Sequence, residues 1–338
     1  MTLNFPFSAI VGQQTMKQAL ILTAIDPFIG GVLVFGERGT GKSTIVRSLT
    51  ALLPEIKVVK GCPYNCYQIT QECPHCKLME KGKIEKKSTP IVDLPLGSTE
   101  DRVVGSLNLE IALSQGKKSF EPGLLAYANR GYLYIDEVNL LEDHIVDLLL
   151  DVAASGENLV EREGLSVKHK SRFVLVGSGN PEEGELRPQL LDRFGLSVEV
   201  KSPSTLPERI EVIKRRTKFD DKDREFLDFW AKEDLKIRRK ISRARKRLYE
   251  VGSTDQILEK CAKLCIQLGA DGLRGELTLL KAAKAQAAFE NKTDIDIEHL
   301  KKVAPICMGH RLRKDPLDDV GSSVRVEKSV EEVLGKKM

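Results

Sequence analysis

Short apolar runs that end in glycine or acid alternate along the first two hundred residues with stretches of helical spacing. Residues 31 to 36, GVLVFG, form one such run, and Lys42 to Leu53 continue it at helical spacing, which predicts a strand, a loop and a helix. Tyr132 to Ile135 form a second run ending in Asp136 and Glu137, and Arg172 to Val176 a third ending in Gly-Ser-Gly-Asn. Strands separated by helical patterns predict an α/β fold, a parallel sheet between helices. Before the third strand, SGENLVEREGLSVKHK alternates apolar and polar positions around Glu163-Gly164 and reads as a hairpin. Beyond about residue 200 the strand signals stop. Pro203 and Pro207 mark the exit, and RIEVIKRRT, REFLDFWAKE, IRRKISRARKRLYE and residues 255 to 309 carry helical spacing. The expected division is 1–205 nucleotide-binding domain, 206–250 helical linker and 251–338 helical domain, with a polar, loosely held tail from Asp315.

The chain's 338 residues suit two domains better than one. Lys plus Arg number 53 against 49 Asp plus Glu, a formal charge of +4, so charge gives no sign of a nucleic-acid partner. No run approaches the roughly 18 apolar residues of a membrane span. Met1 to Ile10 lack the order of a signal peptide. The expectation is a soluble chain that works where it is made. In that setting seven cysteines do not imply a disulfide framework.

Gly36-Glu37-Arg38-Gly39-Thr40-Gly41-Lys42-Ser43 fits GxxxxGK(S/T) between a strand and a helix, and Thr44 follows. Glycines there let backbone N–H groups turn toward phosphate oxygens at a helix N-terminus. Lys42 reaches the terminal phosphates and Ser43 can ligate Mg2+. A glycine-rich turn with an incidental lysine is the bland alternative. Asp136 and Glu137, delivered by a buried strand, are the matching acids: Asp136 for the Mg2+ of ATP, Glu137 as the base that polarises water. Asn180 ends the third strand, either to position that water or to make an Asx turn before Pro181. Arg193, in LLDRF, is an arginine finger or a surface ion-pair residue, and the residues alone leave these even.

Cys62, Cys66, Cys73 and Cys76 are spaced CxxxC, six residues, CxxC, which suits a tetrahedral four-thiolate Zn2+ site, with His75 a fifth candidate. Redox-active dithiols and free thiols in a loop are the rival readings. Cys261 and Cys265 share a helix face with Leu264 and Leu268 and read as small core residues. Trp230 reads as a packing aromatic and His144 as a helix-surface or packing residue rather than a ligand.

GERGTGKST, LPLGSTEDRVVGSLNLE, the segment from FEPGLLAYANRG through YLYIDEVNLLEDH to ENLVEREG, FVLVGSGNPEEGELRPQLLDRFGLSVEV and DGLRGELTLL together resemble subunit I of the magnesium chelatases, from Phe5 to about Val326. The resemblance implies an AAA+ P-loop NTPase core with a helix-2 insert around Val104 to Pro122, a hairpin before the third strand, and a C-terminal all-α domain. It implies a homo-oligomeric ring, expected as a hexamer, that hydrolyses ATP so that two other chelatase subunits insert Mg2+ into protoporphyrin IX. By matching motifs Asn180 is sensor 1, Arg193 the finger toward a neighbour's ATP, and Arg274 sensor 2. Val11, in Ile10-Val11-Gly12-Gln13, lines the adenine pocket. The expected place is the bacterial cytoplasm, or the chloroplast stroma for a plastid-encoded chain, with no membrane and no direct nucleic-acid contact. A MoxR-type chaperone ATPase and a helicase-related motor are the alternatives. Against the helicase stands the lack of aromatics interleaved with Lys and Arg. No DxSxS adhesion motif occurs, so metal and porphyrin handling are expected in the partners. The four cysteines depart from many members of the family.

Overall fold

The computed structural model describes residues 4–79, 81–108, 114, 119–162, 165–180, 184, 186–270, 272–312 and 322–335. Along the chain the strands are β1 (Gly31–Gly36), β2 (Ile56–Val59), β3 (Ile84–Lys87), β4 (Ile91–Leu94), β5 (Gly105–Leu107), β6 (Phe120–Pro122), β7 (Tyr132–Ile135), β8 (Glu157–Arg162), β9 (Leu165–Lys170), β10 (Val174–Gly179) and β11 (Phe194–Val200). They fall into two compact units, one of residues 1–52 with 187–338, the other of residues 53–186.

In the first unit β1 lies parallel to β11, with Val32 opposite Leu196 and Gly36 opposite Val200. Both strands are almost wholly buried, which explains their near-continuous apolar composition. Gly36 has to be glycine because a Cβ there would sit 2.2 Å from the carbonyl oxygen of Val200. Helix Gln14–Ile25 and the helices after residue 205, Leu206–Asp220, Arg224–Arg247, Asp255–Gln267, Arg274–Phe289 and Ile297–Met308, complete the unit with the C-terminal helix Ser322–Leu334. Asp234, buried on the long helix, accepts the backbone N–H groups of Phe7 and Ser8 at 3.1 and 2.8 Å. It thereby anchors the segment that runs on to Val11.

The second unit carries three parallel strands with β7 in the middle. Tyr132 lies opposite Ile91 of β4 and Val174 of β10, and Ile135 opposite Leu94 and Gly177. All four β7 residues are buried. Parallel pairing brings the C-terminal ends of the three strands to one edge, where Ser178 and Gly179 close β10, Asn180 follows it and Asp136 follows β7. β8 and β9 form the hairpin expected before the third strand, and its Glu163-Gly164 turn lies outside the described residues. β5 and β6 pair antiparallel within the expected helix-2 insert. Residues 109–113 and 115–118 of that insert lie outside the described residues.

One expectation fails. The tail is not loose past the polar stretch, because residues Ser322–Leu334 form a helix. Val326, Val330 and Leu334 recur at four-residue intervals and are buried, an apolar stripe that the neighbouring polar residues obscured in the sequence.

Candidate nucleotide site and cysteine centre

In the first unit Gly41 is the N-terminal neighbour of helix Lys42–Ser48, with φ 83°, and Gly39 has φ 79°. Neither Cβ would meet an atom within 4 Å, so backbone sign rather than space selects glycine at both. Thr40 Oγ1 donates to Glu37 O at 2.9 Å and closes the turn. Lys42 folds back over the loop and donates to the carbonyl oxygens of Gly36 and Glu37, the latter at 2.9 Å. Lys42 and Ser43 are half-buried and Thr44 is exposed. Val11, half-buried, precedes Gln13, which adopts φ 56° and donates from Nε2 to Lys201 O at 2.9 Å.

The same unit brings Arg193 and Arg274 near one residue the sequence reading passed over, Asp192. Arg274 Nη1 lies 2.6 Å from Asp192 Oδ2 and Arg311 Nη1 lies 3.0 Å from Asp192 Oδ1. Arg311 also donates to Phe194 O at 2.9 Å, as His310 Nε2 approaches the same oxygen at 2.9 Å. Arg193, half-buried, ends helix Pro188–Arg193 directly beside this clasp. Burial, then the charge of Arg311, holds the His310 ring down to about 4.

In the second unit the acids sit at the edge set by β7. Asp136 is exposed, and its Oδ1 accepts from Tyr134 Oη at 2.9 Å and from Ser178 Oγ. Ser178, fully buried, also accepts the backbone N–H of Glu137 at 3.3 Å. One hydroxyl therefore ties both acids to the end of β10. Glu137 is half-buried in the left-handed region at φ 54°, a sparsely populated conformation for a residue with a side chain. Asn180 is buried just past the end of β10. Ser178 was missed in the sequence; its only signal was a place in the register one step beyond Gly177, opposite Ile135.

Four sulfurs converge in the same unit. Sγ of Cys62, Cys66, Cys73 and Cys76 all lie within 4.8 Å of one another, and three of the residues are buried. Cys62 Sγ is 3.8 Å from Cys73 Sγ and 3.5 Å from Cys76 Sγ, and the N–H of Cys76 points at Cys73 Sγ at 3.4 Å. None of the four is disulfide-bonded. Thiol hydrogen bonds from Cys66 and then Cys73 draw the Cys62 thiol down to about 2, whereas burial pushes Cys76 up to about 12. His75 is not part of the cluster. Cys261 and Cys265 are buried core residues as read from the sequence, and His144 is exposed beside Glu142. Trp230 packs against Phe226 and Phe229, with Arg215 over its ring at 4.6 Å.

A phosphate loop after one parallel strand, paired acids after another and a trailing set of helices define an ATPase of the AAA class. The AAA domain of the dynein-related subfamily matches residues 31–194, and the AAA lid domain matches residues 258–333. The chain is 64% identical to the magnesium-chelatase 38 kDa subunit of Cereibacter sphaeroides over 98% of both chains. It is 62% identical to the 38 kDa subunit of Rhodobacter capsulatus, over 98% of this chain and 94% of that one. A cryo-EM-based structure of the complex between subunits BchI and BchD of magnesium chelatase aligns with TM-score 0.55 at 59% identity, covering 98% of this chain and 99% of that one. The chain belongs to the magnesium-chelatase 38 kDa subunit, or subunit I, family. As a member it is the ATP-hydrolysing subunit of such an enzyme, and its cofactors are ATP and Mg2+. No helix among the described residues is long and apolar enough to cross a membrane.

Proposed function

We propose that the chain couples ATP hydrolysis to the insertion of Mg2+ into protoporphyrin IX by two partner subunits, one of them of the BchD kind, from a homo-oligomeric ring, a hexamer. The observation that carries this reading is the locked pair at the end of β7, where Ser178 ties Asp136 and the Glu137 backbone to one point. In the ATP-bound chain the backbone of Gly36, Gly39, Thr40 and Gly41 cradles phosphate. Lys42 neutralises its charge, Ser43 and Asp136 hold Mg2+, and Thr44 and Val11 complete the cofactor pocket. Glu137 takes a proton from the attacking water and Asn180 orients it. Arg274 meets the bound nucleotide as sensor 2, and Arg193 reaches the ATP of the neighbouring subunit. The family match over 31–194 supports treating the motifs from Gly36 to Arg193 as one ATPase domain, and the lid match over 258–333 takes in Arg274. In the working division 1–205 binds nucleotide, 206–250 links, and 251–338 carries sensor 2. The chain works in the bacterial cytoplasm, or the stroma where plastid-encoded.

Cys62, Cys66, Cys73 and Cys76 hold one structural Zn2+. Tetrahedral Zn–S bonds of about 2.3 Å set sulfurs about 3.8 Å apart, and the shortest separations here match that spacing. Reconstitution with both partner subunits, porphyrin, Mg2+ and ATP tests the main reading. Magnesium porphyrin should form only when this chain is added, and formation with the Lys42→Ala chain at the normal rate would refute it. Elemental analysis of protein purified without added metal should find about one zinc per chain. Zinc near zero, with four freely titrating thiols, would remove the metal.

A further inference from the structure

The loop that carries the cysteines ends at a junction with the strands that carry the acids. Asn65 lies between Cys62 and Cys66, is fully buried, and adopts φ 50°. Its Nδ2 donates to Tyr127 O at 2.9 Å and to Asn129 O at 3.1 Å, and Lys87 Nζ donates to its Oδ1 at 2.9 Å. Asn129 answers: its Nδ2 donates to Tyr64 O at 2.7 Å, and its Oδ1 accepts the N–H of Arg172 at 2.9 Å. Arg130 Nη1 donates to the carbonyl oxygens of Lys57 and Asn65, both at 2.8 Å. Residues 127–130 run straight into β7, and Arg172 stands two residues before β10. The cysteine loop is thus bonded to the N-terminal approaches of the two strands whose C-terminal ends present Asp136, Glu137, Ser178 and Asn180. At about 3.3 Å per residue, a four-residue strand carries that placement roughly 13 Å to the acids.

The loop holds this arrangement with little apolar material. Its core consists of Val59, Cys62, Tyr64, Cys73, Cys76 and Ala126, with Cys66, Ile69 and Met79 packed beside it. Four of these nine side chains are the thiols themselves, so ordering of residues 62–76 depends on what joins the sulfurs. A structural Zn2+ turns its binding energy into folding energy for such a loop.

We infer that the four-thiolate centre is a metal-dependent staple that positions β7 and β10 for ATP hydrolysis, with Asn65 as the positioning residue between the metal loop and the strands. The inference rests on the Zn2+ reading above. With Zn2+ bound, Asn65 is held with both N–H bonds aimed at the approach to β7, and Asp136 and Glu137 keep their places at the end of that strand. Without it the loop loosens, those bonds open, and the acids drift while the phosphate loop, which leaves β1, still binds ATP. The signature is a fall in kcat at nearly constant KM.

The test uses the full-length chain and measures zinc content, amide hydrogen exchange over 127–135 and 172–179, and the kcat and KM of ATP hydrolysis. Asn65→Asp keeps the size and tolerates positive φ but removes both donors. It should retain one zinc per chain, exchange faster at 127–131, and lose about tenfold in kcat, the scale of a sub-ångström to ångström misplacement of reacting groups. Wild-type protein stripped of metal with a chelator should behave in the same way, and added Zn2+ should restore it, which guards against a variant that fails to fold. A zinc-loaded Asn65→Asp chain with wild-type kcat would overturn the staple. So would a stripped wild-type chain with unchanged kcat and exchange. Wild-type protein that never contains zinc overturns the metal, whereas the kcat of Asn65→Asp still decides whether Asn65 positions the strands.

Discussion

Replacing Ser178 by Ala removes one oxygen and should raise the Mg2+ requirement of hydrolysis. Ser178 Oγ donates to Asp136 Oδ1 and accepts the N–H of Glu137 at 3.3 Å, so the change removes one bond from the carboxylate and one from the turn after it. A hydrogen bond to a charged group is worth about 1.5–3 kcal/mol. Tyr134 Oη still donates to the same carboxylate oxygen at 2.9 Å, so the lower end applies. About 1.5 kcal/mol is roughly tenfold, the loss expected in apparent Mg2+ affinity and in kcat. Initial rates of phosphate release, measured across a Mg2+ series at saturating ATP, give both quantities. Binding of a fluorescent ATP analogue should be nearly unchanged, because Lys42 and the glycines are untouched. Ser178→Thr keeps the hydroxyl and should recover most of the rate. An Ala variant with the wild-type Mg2+ curve and rate would refute the idea that this hydroxyl orients the acids.

Lys42→Ala should abolish ATP binding, since it removes the ammonium that meets the phosphates, whereas Glu137→Gln should bind ATP and stop turnover; wild-type turnover by the Gln variant would remove Glu137 as the base. Mixing Lys42→Ala chains with Arg193→Ala chains should restore part of the ATPase activity that each lacks, and no recovery in mixtures shown by sizing to co-assemble would count against a finger acting between subunits. His310 titrates near 6.5 when unfolded and is held to about 4 when folded, so the unfolded chain takes up the proton first. Its stabilisation is complete above pH 6.5 and is lost as pH falls toward 4. Melting temperatures over that window should decline less steeply for His310→Gln, and an identical slope would show that the ring does not contribute.

Contiguous signals were the legible ones. The phosphate loop lies within eight successive residues from Gly36 to Ser43, and its glycine signs and helix start follow from that local string. β7 was readable for the same reason: four buried apolar residues lead directly into Asp136 and Glu137. Spacing alone showed that Cys62, Cys66, Cys73 and Cys76 could meet, and the fold places their four sulfurs within 4.8 Å of one another.

Tertiary structure decided whatever depends on partners distant in the chain. Asp136 meets Ser178 across 42 residues, Asn65 meets Asn129 across 64, and Arg274 meets Asp192 across 82. No periodicity links such positions, because their proximity comes from strand register and helix packing rather than from spacing. The C-terminal helix belongs with them. Its stripe of Val326, Val330 and Leu334 becomes informative only when neighbouring helices cover it. Sequence thus determined which chemical groups the protein owns and the local loops that present them. Folding determined which of those groups share a site, since that depends on contacts the linear order does not contain.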